Sequence, residues 1–106
     1  MEKGQAEKFV FDLLRLMLGK KASDMFITAG FPPAMKIDGK MTPVTQQKLS
    51  GEHTKVFAHA LMSEKQRAEF AIEKECNFAI APKEIGRFRV NVFVQQEQVG
   101  TLFFAH

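Results

Sequence analysis

The sequence has 106 residues, 45% of them hydrophobic and 25% charged, which is the balance of one folded domain and not of a disordered chain. The formal net charge of +3 is small and its lysines are scattered, so charge alone does not indicate nucleic-acid binding. The single cysteine, Cys76, excludes an internal disulfide, and no apolar run reaches the ~18 residues of a membrane helix. We therefore expect one cytoplasmic domain over residues 1–106, without a signal peptide.

The first half of the chain is predicted to form a helix, a short strand and a hairpin. Apolar residues recur at helical spacing over residues 6–18, and Gly19 is expected to end this helix in the left-handed conformation. Residues 23–28 predict a short strand, and two successive prolines after it predict an extended loop. Asp38-Gly39 between two short apolar segments predicts a type I′ hairpin.

The second half is predicted to return to helices and then to strands. Ser50 can cap one helix, and Ser63 with Gln66 forms the capping-box pattern of a second short helix that extends to Phe70. Alternating patterns predict three strands over residues 76–81, 86–93 and 99–104. Helices and antiparallel hairpins separated in this way indicate an α+β fold, with an antiparallel sheet covered on one face by helices.

The strand predicted over residues 86–93 carries the strongest chemical signal. Side chains alternate between the two faces of a strand, so Arg87, Arg89 and Asn91 share one face. The opposite face is expected to join the core through Phe88, Val90, Val92 and Val94. Two guanidinium groups that project in parallel could bind phosphate or carboxylate through bidentate hydrogen bonds. The alternative is that both arginines only keep the sheet soluble and protect its edge.

RNA binding through this strand is not expected. RNA-binding strands of the ribonucleoprotein type expose aromatic side chains, whereas Phe88 points with the valines. Only Phe93 is expected on the arginine side, without a second aromatic strand beside it.

The remaining titratable residues do not predict a catalytic or metal site. The histidines lack metal-binding spacing and are expected at the surface or at helix caps: His53, His59 and His106. Cys76 is expected to be a small buried hydrophobe, and Asp24 a turn residue at a strand entrance. The sequence contains no P-loop, so this chain cannot bind a nucleotide through a P-loop of its own.

Five segments in order resemble the N-terminal domain of the bacterial type IV pilus retraction ATPases, the PilT/PilU family. They are residues 23–33, 36–40, 62–67, 75–80 and 86–91, and together they span nearly the whole chain. The sequence is more similar to the accessory motor branch, PilU, since Phe26 stands where the principal motor usually has His and residues 75–80 read Glu-Cys-Asn-Phe-Ala-Ile.

The resemblance implies a PAS-like domain of a hexameric secretion-type ATPase that powers pilus retraction and twitching motility. In that family the nucleotide sits at the interface between this domain and a C-terminal RecA-like domain, and the motifs that perform hydrolysis with ATP and magnesium lie in the RecA-like domain. This chain alone is therefore expected to bind no cofactor and to catalyse nothing. The matching basic positions, Arg87 and Arg89, are implied to approach the nucleotide phosphates, and Asn91 to lie at the interdomain interface. The family usually has a basic pair near the end of its last strand, which residues 101–106 lack.

The implied partners are the RecA-like domains of the same and the neighbouring subunit, the principal retraction ATPase and the platform protein of the inner membrane at the pilus base. Nucleic acid is not among them. Two other functions stay open. One is a free-standing PAS-like module that senses a small ligand, although the Phe-rich interior offers no obvious convergent polar group. The other is a passive assembly domain whose surfaces only hold a ring together.

Overall fold

The computed structural model describes the whole chain, Met1–His106, and contains three α-helices and six β-strands. In chain order the elements are α1 (Lys3–Gly19), β1 (Asp24–Ile27), β2 (Ala34–Ile37), β3 (Lys40–Pro43), α2 (Gly51–Leu61), α3 (Glu64–Glu73), β4 (Glu75–Ile80), β5 (Phe88–Gln95) and β6 (Gln98–Ala105). Each predicted helix and strand is present, with bounds that differ by a few residues. No helix combines the length and apolar character needed to cross a membrane.

Helix α1 differs from its prediction at both ends. It begins at Lys3 and not near Ala6, because Glu2 and Gln5 form a capping box that satisfies the first free N–H groups. The prediction that Gly19 ends the helix in the left-handed conformation is wrong. Gly19 is the last helical residue, and the positive φ of 55° falls on Lys21 instead.

The predicted caps of α2 and α3 are confirmed. Ser50 accepts a hydrogen bond from the backbone N–H of His53, and Ser63 and Gln66 form both bonds of a capping box. The two helices are also tied together by Arg67. Its Nη1 donates to the carbonyl oxygens of His59 at 3.2 Å and Met62 at 2.6 Å, which satisfies acceptors at the end of α2.

The six strands form one antiparallel sheet in the order β3-β2-β1-β6-β5-β4. The hairpin β2–β3 turns at Asp38-Gly39, where φ is +50° and +78°, as a type I′ turn requires. Strands β5 and β6 pair over their full lengths, from Phe88 opposite Ala105 to Gln95 opposite Gln98. β6 therefore lies at the centre, with β1 on its other side.

Helices cover one face of this sheet, which confirms the predicted α+β fold. Five residues of α1 on one helical stripe are buried: Ala6, Val10, Leu13, Leu14 and Met17. Strand residues on the helical side complete a core of twenty buried hydrophobic residues. Helix α1 packs on α2, and the rings of Phe9 and Phe57 stack with centroids 4.5 Å apart. Burial of this apolar surface is the main source of stability.

Candidate functional site

The side of the sheet turned away from the helices, which we call the open face, carries the candidate site. Along β5, Phe88, Val90 and Val92 face the helices and are buried, and Val94 on the same side is half-buried. Arg89, Asn91 and Phe93 point the other way. The strand begins at Phe88, so the prediction that it includes Arg87 is wrong. Arg87 nevertheless lies on the same side of the sheet as Arg89.

Three basic side chains line one cleft of about 370 Å³ at the edge of the open face. They are Arg87, Arg89 and His106, and Asn77 and Ala79 of β4 form part of its wall. We call this the arginine cleft. The predicted proximity of the two arginines is therefore confirmed, and a third basic residue is added.

The pairing of β5 with β6 places His106 in the arginine cleft. Its backbone N–H donates to the carbonyl oxygen of Arg87 at 3.2 Å, one step beyond the pair Phe88–Ala105. From the sequence alone, His106 is expected to be isolated, at the surface or at a cap. A two-residue turn at Gln96-Glu97 would have placed it opposite Arg87, because antiparallel pairs keep a constant sum of residue numbers.

Neither arginine has an anionic partner within the chain. The ion pairs of the structure join Asp12 to Lys8 and to Arg15 on α1, and no side-chain hydrogen bond is made by Arg87 or Arg89. Both arginines are exposed. Their planar guanidinium groups therefore keep all their donors available, and the chemistry they offer is recognition of a carboxylate or a phosphate.

Asn91 lies next to the arginine cleft with an unsatisfied acceptor. It is half-buried, and its Oδ1 atom is buried without a hydrogen-bond partner. In the sheet it stands between Asn77 of β4 and Leu102 of β6. A buried amide oxygen without a donor is unfavourable, so Asn91 adds a small free-energy cost to this part of the sheet.

The open face also carries an apolar band that the sequence analysis missed. Phe26 of β1 and Leu102 of β6 are paired, and Phe104 is 38% exposed. The ring of Phe93 covers Gly100, where an added Cβ would lie 2.7 Å from ring atoms. The prediction that Phe93 is the only aromatic residue on the arginine side is therefore wrong. The error arose because the register of β1 and β6 was not known.

The other residues considered from sequence lie outside the arginine cleft, although Asp24 stands opposite Phe104 on the open face. Asp24 accepts a 2.6 Å hydrogen bond from the Ser23 hydroxyl at the start of β1. Cys76 is 8% exposed, which confirms that it is a buried hydrophobe, and burial raises the pKa of its thiol. No three His, Cys, Asp or Glu side chains lie together in a way that could hold a metal ion.

Comparisons with known proteins agree with the sequence resemblance. No family model matches the chain. The chain is 53% identical over 88 residues to the type IV pilus ATPase PilU of Pseudomonas aeruginosa strain PAO1, covering 83% of this chain and 23% of PilU. It is 30% identical over 94 residues to the type IV pilus retraction ATPase PilT of the same strain, covering 89% of this chain and 27% of PilT. The chain thus spans about a quarter of the length of these relatives.

Solved structures give the same result for the fold. The pilus retraction motor PilT with bound ADP superposes with a TM-score of 0.84 and 30% identity, covering 91% of this chain and 28% of that one. The ATPase DotB of Legionella pneumophila superposes with a TM-score of 0.80, covering 93% of this chain and 28% of that one. Its 16% identity supports the fold alone.

The higher identity to PilU than to PilT matches the resemblance found from Phe26 and residues 75–80. Sequence identity and fold agree over most of the chain. The chain belongs to the PilT/PilU family of type IV pilus ATPases and corresponds to their N-terminal domain.

Proposed function

We propose that this chain is the coupling domain of a type IV pilus retraction ATPase and that its open face docks on a RecA-like ATPase domain. In this arrangement Arg87 and Arg89 contact the phosphates of ATP held by that domain. The chain itself supplies no catalytic residue. In this proposal magnesium and the hydrolytic groups belong to the ATPase domain, and so does the P-loop, which the given sequence does not contain.

The observation that carries this proposal is the arginine cleft. Two guanidinium groups lie together on a sheet face that no helix covers, and neither has an anion within the chain. The neighbouring Asn91 Oδ1 lacks a donor, and the apolar band beside it is open to solvent in part. Exposed cations beside an apolar surface fit a protein interface that contains a nucleotide.

The relatives supply the wider setting of the proposal. PilU and PilT are named as pilus ATPases, and a solved PilT structure contains ADP. By extension, the full-length parent assembles as a homohexamer at the cytoplasmic side of the inner membrane, at the base of the pilus. There it works with the principal retraction ATPase and the membrane platform protein to drive twitching motility.

The first prediction concerns ATP turnover in the full-length parent. Arg87→Ala and Arg89→Ala should each lower the rate of ATP hydrolysis at least about tenfold, because arginine contacts to a transferring phosphate are worth about 10³–10⁵ in related phosphoryl-transfer enzymes. The measurement is phosphate release at saturating ATP. Lys83→Ala is the matched control, since it removes an exposed cation from the turn before β5 without touching the cleft.

A second candidate function, passive assembly, is favoured by the apolar band of Phe26, Leu102 and Phe104. If the open face only holds a ring together, Arg87→Glu should reduce the hexamer fraction at protein concentrations where ATP turnover per hexamer is still normal. Sedimentation and hydrolysis are measured on the same samples. Normal hydrolysis by both alanine variants within intact hexamers would rule out the phosphate contact.

A further inference from the structure

A second concave surface lies on the helical side of the sheet, away from the arginine cleft. Two adjoining clefts of about 270 and 480 Å³ share His59 and Arg67 and run between α2, α3 and the end of the β5–β6 hairpin. We call this continuous surface the basic groove. The proposed function does not use it, because the groove contacts Val94 and Val99 on the helical side of the sheet and the arginine cleft lies on the open face.

The basic groove concentrates positive charge from all three helices. Lys3 of α1, Lys55 of α2, Arg67 of α3 and Lys74, which follows α3, line it, and Glu97 in the β5–β6 turn is the single acidic residue. None of the four cations forms an ion pair within the chain. The four cations outnumber this one carboxylate, so the groove presents a positive potential.

Arg67 is held in place within the groove, and His59 beside it responds to the nearby positive charge. The Arg67 guanidinium donates to the His59 and Met62 carbonyl oxygens at 3.2 and 2.6 Å. Because this side chain is already ordered, binding an anion to it costs little further conformational entropy. Burial is the main cause of the lowered pKa of the His59 side chain, and the positive charges of Lys55 and Arg67 lower this pKa further.

The floor of the basic groove is apolar. Phe70 is 5% exposed, and Val94 and Val99 are half-buried beside it. A matching ligand therefore has apolar side chains that point inward and carboxylates that reach the lysines at the rim. A free phosphate would make no apolar contact with the floor of the groove. A membrane surface would meet lysines at the rim before any apolar residue of the concave floor.

We propose that the basic groove docks an acidic amphipathic segment of a partner protein. The partner is recognised by charge complementarity at the rim and by one or two apolar side chains against Phe70, Val94 and Val99. Groups that face His59 in this complex are Lys3, Lys55, Arg67, Lys74, Glu97 and the partner's carboxylates. Those carboxylates stabilise imidazolium, so binding should raise the pKa of His59 and strengthen as the pH falls.

The experiment uses the chain 1–106 and a fluorescent synthetic peptide of Glu and Leu at helical spacing. Anisotropy at low salt should show binding that Lys55→Glu weakens about tenfold, because a like charge then faces the peptide. Lys65→Glu is the matched control: it makes the same change in net charge at an exposed α3 position outside the groove, and affinity should change less than about twofold. The Cε1 proton of His59 should titrate at higher pH when the peptide is bound.

Other probes decide between this proposal and its rivals. A peptide of Lys and Leu should not bind, and inorganic phosphate and phosphatidylglycerol vesicles should not shift the amide signals of Phe70 and Val99. The proposal is overturned if Lys55→Glu and Lys65→Glu weaken the peptide equally, or if His59 titrates unchanged in its presence. It is also overturned if phosphate or vesicles produce the same signal shifts, since the groove would then be a site for simple anions or lipid.

Discussion

At the scale of the residue, the basic side chains of this domain differ in whether their charge is compensated. Lys8 and Arg15 pair with Asp12, whose pKa is lowered by the hydrogen bond from Lys8 and by both nearby positive charges. Arg87 and Arg89 have no such partner, although they are equally exposed. Cations without a counter-charge cost little free energy while water solvates them, and a rigid sheet holds them in position to bind an anion. They therefore indicate an interface.

His59 gives a prediction at this scale for the pH dependence of stability. Its pKa is lowered from 6.5 in the folded chain, so between 6.5 and the lower folded value the unfolded chain binds more protons. The free energy of unfolding should therefore fall as the pH drops below about 6.5 and level off below the folded pKa. The measurement is urea unfolding of the wild type and His59→Asn at about pH 8 and about pH 5.5.

The wild type should lose more stability than His59→Asn over that range. His53→Asn is the control, because it removes an exposed histidine from the same helix and should leave the wild-type loss in place. An equal loss in wild type and His59→Asn would show that His59 does not contribute to the pH dependence.

At the scale of the element, most helix caps and turns could be predicted from residues that lie close together in sequence. The capping box at Ser63 and the hairpin at Asp38-Gly39 were predicted because each depends on residues a few positions apart. The end of α1 was not predicted correctly, because the residue with positive φ that follows the helix is Lys21 and not Gly19. Lys21 is exposed, and local backbone hydrogen bonds close the helix around it, from Ala22 N–H to the Met17 carbonyl at 2.9 Å and from Lys21 N–H to the Leu18 carbonyl at 3.1 Å.

Glycine substitutions test this view of the elements. Gly39→Ala should destabilise the chain by about 1 kcal/mol, because Gly39 has φ of +78° and has open space around it, so backbone strain is the main cost. Gly4→Ala in the first turn of α1 also meets open space but has ordinary helical φ, and it should be neutral or stabilise by up to about 0.5 kcal/mol. Thermal unfolding measures both. A loss at Gly4 equal to that at Gly39 would contradict the backbone explanation.

At the scale of the whole molecule, the fold is a sheet with one face covered by helices and one face open. The alternation that separates the faces was evident for β5 from sequence. The order of the strands in the sheet was not evident from sequence, because strand order and register depend on long-range pairing. Both the aromatic residues of the open face and the position of His106 in the arginine cleft follow from that pairing, which explains why they were missed.

Two adjacent phenylalanines test the two-faced architecture. Phe103 is fully buried against the helices, whereas Phe104 points to the open face and is 38% exposed. In the chain 1–106, Phe103→Ala should cost about 3–5 kcal/mol, and Phe104→Ala about 1 kcal/mol or less. Equilibrium urea unfolding measures both free energies. Similar costs would mean that the open face is covered in solution, for example by a second copy.

The central position of β6 has a mechanical consequence for a domain proposed to work in a motor. β6 is bonded to β1 over four residue pairs and to β5 over eight, and Phe104 and Ala105 remain paired next to His106. A pull along β6 at His106 loads both ladders in shear, so many hydrogen bonds must break together and not one after another. The domain should therefore behave as a stiff lever along this axis and transmit displacement without extending.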